Sequence, residues 1–154
     1  GLPEGLGVIW ATGRGQFEPY GALDGASGGR VRVLPYLSPI AEAYAAADVA
    51  LTRAGAMSIA ELCAWGLPAV LVPLPTAAQD HQAHNARALA ASGAAVHLPQ
   101  PELSAARLDA LARGWLADPA ALATLARNAA ARGRPDAAER IAGRILTTIG
   151  RAPR

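Results

Sequence analysis

The sequence predicts a doubly wound α/β domain built on a parallel sheet, and three observations carry that expectation. Short apolar runs alternate with helix-length segments along the chain. Glycine and proline mark the changes from one to the other. The 154 residues are one domain's worth, and a hydrophobic content of 52% is enough to build a buried core and excludes a disordered chain.

The elements follow in order. Residues 7–11 are a short apolar strand that runs into the glycine turn Thr12-Gly13-Arg14-Gly15, and residues 31–34 are a second strand stopped by Pro35. Residues 39–47 read as a helix with proline in its first turn, where a missing N–H costs nothing. A third strand at 48–52 leads into a helix at 55–65, which Gly66-Leu67-Pro68 ends. Residues 69–72 are a fourth strand closed by Pro73 and Pro75, followed by a helix at about 80–91 and a fifth strand at 94–98. Three helices complete the pattern, at 104–117, 119–132 and 135–149, with Ser104 and Asp118 as N-caps. Doubly wound sheets bind ligands at the carboxyl ends of their strands. The turn at 13–15 and the loops at 35–40, 53–58 and 73–84 are therefore expected on one rim.

Charge and composition exclude several classes. The net charge is only +2, the 14 basic residues are all arginine and are scattered, and aromatics make up 5%, so the basic stripe with interleaved aromatics of a nucleic-acid protein is missing. No apolar run approaches the roughly 18 residues of a spanning helix, and no signal peptide is seen at the start. Weak attraction to an anionic membrane remains open through His81, Arg87 and the arginine-rich C-terminus. The lone Cys63 excludes a disulfide framework and reads as a small buried residue on its helix.

Two segments carry chemistry. In the first, the strand ending at Thr52 passes through Arg53 and Ala54 into a helix start of Gly55, Ala56, Met57 and Ser58. Unpaired N–H groups and the positive end of the helix dipole attract a phosphate there, and small residues let it come close. Glu61, three residues beyond Ser58, suits paired sugar hydroxyls. The competing account is a capping box, with Ser58 as N-cap and Glu61 reaching back to it. The second segment packs Gln79, Asp80, His81, Gln82, His84 and Asn85 together, neutral and charged groups fit to read hydroxyls. Its competing accounts are a solvated first turn capped by Asp80 and a metal pair of His81 and His84 that lacks a clear third ligand. Glu61 and Asp80 make only a weak carboxylate pair for glycoside hydrolysis. His97, in the fifth strand, reads as packed or half-exposed.

Taken together these residues resemble a family. Pro35-Tyr36-Leu37, Ala45-Ala46-Ala47-Asp48-Val49, Arg53-Ala54-Gly55-Ala56-Met57-Ser58-Ile59-Ala60-Glu61, Gly66-Leu67-Pro68-Ala69 and Asp80-His81-Gln82-Ala83-His84-Asn85-Ala86 stand in the order and at the separations of the C-terminal, donor-binding domain of the MurG family, from about Val8 to Ile149. The likeness extends to the helix start Arg134-Pro135-Asp136-Ala137-Ala138-Glu139-Arg140-Ile141. It implies a Rossmann-like domain of the GT-B arrangement and an inverting transfer of N-acetylglucosamine from UDP-N-acetylglucosamine to lipid I, giving lipid II for peptidoglycan. It further implies a peripheral location on the cytoplasmic face of the bacterial membrane, with neither a cofactor nor a metal. Carried over by motif, Leu37 meets the uracil through its backbone and Gly55, Ala56, Met57 and Ser58 meet the diphosphate. Glu61 binds the ribose, and Gln82, with His81 beside it, meets the sugar. The family's acceptor domain, its general base, and the opening strand and glycine-rich loop of the donor domain have no counterpart in residues 1–154. The expectation is thus a single donor-binding domain that is part of a larger enzyme and inactive alone. A non-catalytic nucleotide-sugar or docking module, the donor subunit of a two-chain transferase, and an epimerase of UDP-N-acetylglucosamine are the alternatives.

Overall fold

The structure, a computed structural model, describes residues 2–150. All strands are parallel. β1 (Val8–Ala11) pairs with β2 (Val31–Leu34), and β3 (Ala50–Thr52), β4 (Ala69–Leu71) and β5 (Ala95–His97) form a second sheet in that order. Between β1 and β2 lie a short helix α1 (Phe17–Gly21) and a distorted turn α2 (Ala26–Gly29), in which Ser27 and Gly28 are left-handed. α3 (Ile40–Ala46) leads to β3, α4 (Ala56–Trp65) to β4 and α5 (His81–Ala91) to β5. The chain then runs through α6 (Ala105–Ala117), α7 (Pro119–Arg132) and α8 (Ala137–Thr148).

The α/β class and every long element agree with the sequence, but two points are corrected. The expected continuous sheet is two hydrogen-bonded sheets, because among the described residues neither β1 nor β2 pairs with any strand of the second sheet. The mid-strand residues of β1 and β3, Ile9 and Leu51, are 43% and 53% exposed, where a strand paired on both sides would be covered. Residues 17–21, which carry no helical expectation, form one helical turn and a little more.

β4 explains where the core sits. All three of its residues are buried, as the central strand of a parallel sheet requires. Successive side chains point to opposite faces. Ala69 and Leu71 enter one cluster with Leu62, Cys63, Ala86 and Leu89 from α4 and α5, while Val70 and Val72 pack with Leu98 and the partly buried Leu108, Leu111 and Trp115. α4 ends where expected: Gly66 is left-handed at φ 63° and its N–H donates to the Cys63 and Leu62 carbonyls. Gly133, at the end of α7, allows a close backbone approach, since a Cβ there would meet the Cys63 carbonyl oxygen at 2.5 Å. Ser104 and Asp118 cap α6 and α7 through the N–H groups of Arg107 and Ala121.

Candidate functional site

The carboxyl ends of β3, β4 and β5 meet at Arg53. Its guanidinium donates to the Val72 and Pro73 carbonyls at 3.3 Å each and to Gln100 Oε1 at 2.5 Å, tying together the three loops that leave these strands. The β3–α4 turn starts from this anchored point. Ala54 is fully buried, and its carbonyl accepts a hydrogen bond from Asn85 Nδ2 on α5 at 3.1 Å. Three loops and the helices α4 and α5 are therefore fixed around one helix start.

That start corrects the capping-box account of Glu61. Gly55, with φ −68° and ψ 142°, is the N-cap of α4, and its carbonyl accepts the first helical bond from Ile59 N–H at 3.0 Å. Ser58 is then the third residue of the helix and Glu61 the sixth, too far along for its carboxylate to reach back to the cap. Glycine has no side chain to cap with, so the N–H groups of Ala56, Met57 and Ser58 have no intrahelical acceptor and no side-chain cap. Met57 is 74% exposed, an apolar side chain held at the lip of this polar opening.

Glu61 turns towards α3. The Tyr44 hydroxyl donates to its Oε2 at 3.0 Å, and the Tyr44 ring lies tilted against Trp65, one turn further along α4, with centroids 6.2 Å apart. Burial, together with the hydrogen bond to the Glu61 carboxylate and its charge, pushes the Tyr44 phenol up to about 12. On the other side of α4, a shallow groove of about 270 Å³ runs between Ala56, Ile59 and Ala60 and the Asn85 and Ala88 face of α5.

The α5 segment supplies oriented polar groups. Gln82 is partly buried, and its Oε1 accepts the Leu74 N–H at 3.0 Å. That bond settles which end of the amide faces inward and leaves its NH₂ to donate outward. His81 Nδ1 lies 2.6 Å from the Ala78 carbonyl, which can only accept, so this nitrogen carries a hydrogen. Asp80 stands at the N-cap of α5 as expected, but its side chain makes no cap bond, which corrects that account of the segment. It and Gln79 are left-handed at φ 53° and 52°, strained backbone of the kind that gathers at functional sites. His81 and His84 find no third ligand: no group of three metal-ligating side chains exists among the described residues.

Gly55, Ala56, Met57, Ser58 and Glu61 lie together on one helix start, Gln82 is bonded to the β4–α5 loop that Arg53 also holds, and His81 bonds within that loop at Ala78. Leu37 stands apart on the loop after β2 and is partly buried. No side-chain hydrogen bond among the described residues joins it to α4 or α5, and α3 with Tyr44 is the link between that loop and Glu61. Arg14 lies over the Tyr36 ring at 5.5 Å, joining the loops after β1 and β2. Sequence reasoning missed the positions of Tyr44 and Asn85. Asn85 lay inside the polar segment already singled out, whereas nothing in the alanine-rich α3 marks Tyr44. Cys63 is buried, and burial raises its thiol above the usual value, so it is a core residue as expected. His97, the last residue of β5, is half-buried as expected.

The profile of the glycosyltransferase family 28 C-terminal domain matches residues 3–141. This chain belongs to that family. It is 44% identical over 151 residues to the UDP-N-acetylglucosamine--N-acetylmuramyl-(pentapeptide) pyrophosphoryl-undecaprenol N-acetylglucosamine transferase of Nitratidesulfovibrio vulgaris strain DP4, covering 97% of this chain and 41% of the relative. It is 45% identical over 152 residues to the protein of the same name from Sorangium cellulosum, covering 97% of this chain and 37% of that one. Among solved structures it resembles MurG of Acinetobacter baumannii with a TM-score of 0.79 and 33% identity, over 92% of this chain and 41% of that one. The glycotransferase of kitacinnamycin is similar at a TM-score of 0.60 and 25% identity, over 90% and 34% of the two chains. The chain thus spans about two fifths of the length of the curated relatives it matches. Membership of family 28 accounts for the parallel α/β architecture and makes the chain part of a glycosyltransferase lineage.

Proposed function

We propose that this chain binds UDP-N-acetylglucosamine as the donor part of an inverting glycosyltransferase that moves N-acetylglucosamine onto lipid I to form lipid II. The observation that carries the reading is the glycine-capped start of α4, open at its N–H groups and flanked by an oriented carboxylate and an oriented amide. In this reading the diphosphate lies on the N–H groups of Ala56, Met57 and Ser58, Glu61 accepts from the ribose hydroxyls, and the Gln82 amide, with His81 beside it, meets the sugar. Leu37 meets the uracil through its backbone. When the glycosidic bond breaks, negative charge grows on the departing UDP. N–H groups and a helix dipole already aimed at that charge stabilise it without reorganising. The base that deprotonates the acceptor hydroxyl is assigned to no residue of this chain.

Relatives bearing the transferase name over most of this chain support the same substrates. The acceptor is carried by an undecaprenyl lipid, so the reading places the working enzyme peripherally at the inner face of the bacterial membrane. Among the described residues no helix is long and apolar enough to cross it. The sequence-based expectation of membrane attraction through the C-terminus falls on Arg151 and Arg154, which lie outside the described residues.

Competition binding tests the reading. UDP and UDP-N-acetylglucosamine are expected to displace a fluorescent UDP analogue, with dissociation constants of about 1 mM or tighter, and free N-acetylglucosamine is not. Equal displacement by ADP and UDP removes the assignment of the uracil contact.

A further inference from the structure

We propose that Tyr44 is a positioning residue for nucleotide recognition, holding the Glu61 carboxylate in the orientation that accepts ribose hydroxyls; this rests on the donor-binding reading above. Glu61 is exposed on the outer face of α4, and a free glutamate there is spread over many rotamers. Tyr44 removes that freedom. Its ring is partly buried against the main core cluster and tilted on Trp65, so its hydroxyl is held at a fixed point 3.0 Å from Glu61 Oε2.

The chemistry of the anchor fits a carboxylate kept for a neutral partner. Two carboxylate oxygens offer about four acceptor positions, and one phenol O–H takes one of them. An arginine would take two with a bidentate fork and cancel the charge. Among the described residues no ion pair involves Glu61, so the tie to Tyr44 orients the group and leaves its charge and remaining lone pairs available. The structure contains a second tie between these helices in the Tyr44–Trp65 contact, which Tyr44→Phe preserves.

The test measures UDP and 2′,3′-dideoxy-UDP binding to the 154-residue chain by NMR titration, for the wild type, Tyr44→Phe, Glu61→Gln and the double variant. Tyr44→Phe is expected to weaken UDP roughly three- to tenfold and dideoxy-UDP less than twofold, and to add nothing once Glu61 is Gln. Its melting temperature is measured alongside. Equal weakening of both nucleotides makes Tyr44 merely structural and overturns the proposal. Unchanged UDP affinity in Tyr44→Phe, with a clear loss in Glu61→Gln, overturns it while sparing the ribose role of Glu61. Unchanged affinity in Glu61→Gln, or no UDP binding by the wild type, removes the reading on which it rests.

Discussion

The β1–β2 unit and the β3–β4–β5 unit share parallel pairing and βα connections but are held together by different forces. In the second, two apolar clusters cover both faces of β4, and Leu71 and Leu98 are all but fully buried. In the first, Val33 is the one buried residue of either strand. What binds that unit is polar: the Asp24 carboxylate accepts the Val33 N–H at 2.9 Å and pairs with Arg32 at 3.4 Å, and Arg30 donates to the Pro3 and Leu6 carbonyls at 2.7 and 2.9 Å. Trp10 and Tyr20 add one tilted aromatic contact at 4.7 Å. Such exposed polar ties contribute modestly, because water competes for the same groups. The helix start, Glu61 and Gln82 stand on the densely packed unit, and Leu37 follows the thinly packed one. The proposed diphosphate and sugar contacts therefore stand on the densely packed unit, and the proposed base contact on the thinly packed one.

Stability mutants sharpen the contrast. Leu71→Ala removes a side chain with no exposure and is expected to cost about 2–5 kcal/mol, whereas Ile9→Ala on the open edge of β1 is expected to cost about 1 kcal/mol or less. Chemical denaturation of the two variants decides it, and equal losses would erase the distinction between the units. Asp24→Asn comes next, at about 1 kcal/mol, since it weakens one hydrogen bond and an exposed ion pair. Hydrogen exchange is expected to speed up at Val33 and across β1–β2 and to stay unchanged in β4. Acceleration in β4 would mean that the two units unfold together.

The smallest effect concerns pH at the junction between the units. Tyr44 is pushed up to about 12 from the usual 10, so the folded chain keeps a proton that the unfolded chain gives up over that interval. The contribution is intact below pH 10 and is lost as pH rises towards 12. The stability gap between wild type and Tyr44→Phe should therefore narrow across that window in denaturant melts. A gap independent of pH would show that the phenol is not tied to Glu61 in solution.

Much of the dense unit was legible in the sequence for the same reason that it is dense. Residues 69–72 are an unbroken apolar run because both faces of β4 are covered, and Gly66-Leu67-Pro68 ends α4 through a left-handed glycine. The thin unit was harder to read. Phe17–Gly21 is too short for a periodic pattern and sits among glycines, and the open edges at Ile9 and Leu51 follow from pairing that no local signal encodes. At the site, the helix start at Gly55 was legible, and only the competing capping-box account placed it three residues late. The Ser58–Glu61 spacing imitates a capping box, and the extended backbone of Gly55 decides otherwise. The Tyr44–Glu61 bond joins two helices across 17 positions, so only the fold brings it into view.

In the proposed function, the glycine-capped start of α4 receives the diphosphate of a uridine nucleotide. Backbone amide shifts during a UDP titration test it most directly, because the N–H groups in question report on themselves. The largest shifts are expected at Ala56, Met57 and Ser58, smaller ones at Glu61 and Gln82, and none along the apolar groove of α8 between Ile141 and Ile149. Saturable shifts centred on that groove, or on any surface away from α4, with residues 56–58 unmoved, would contradict it.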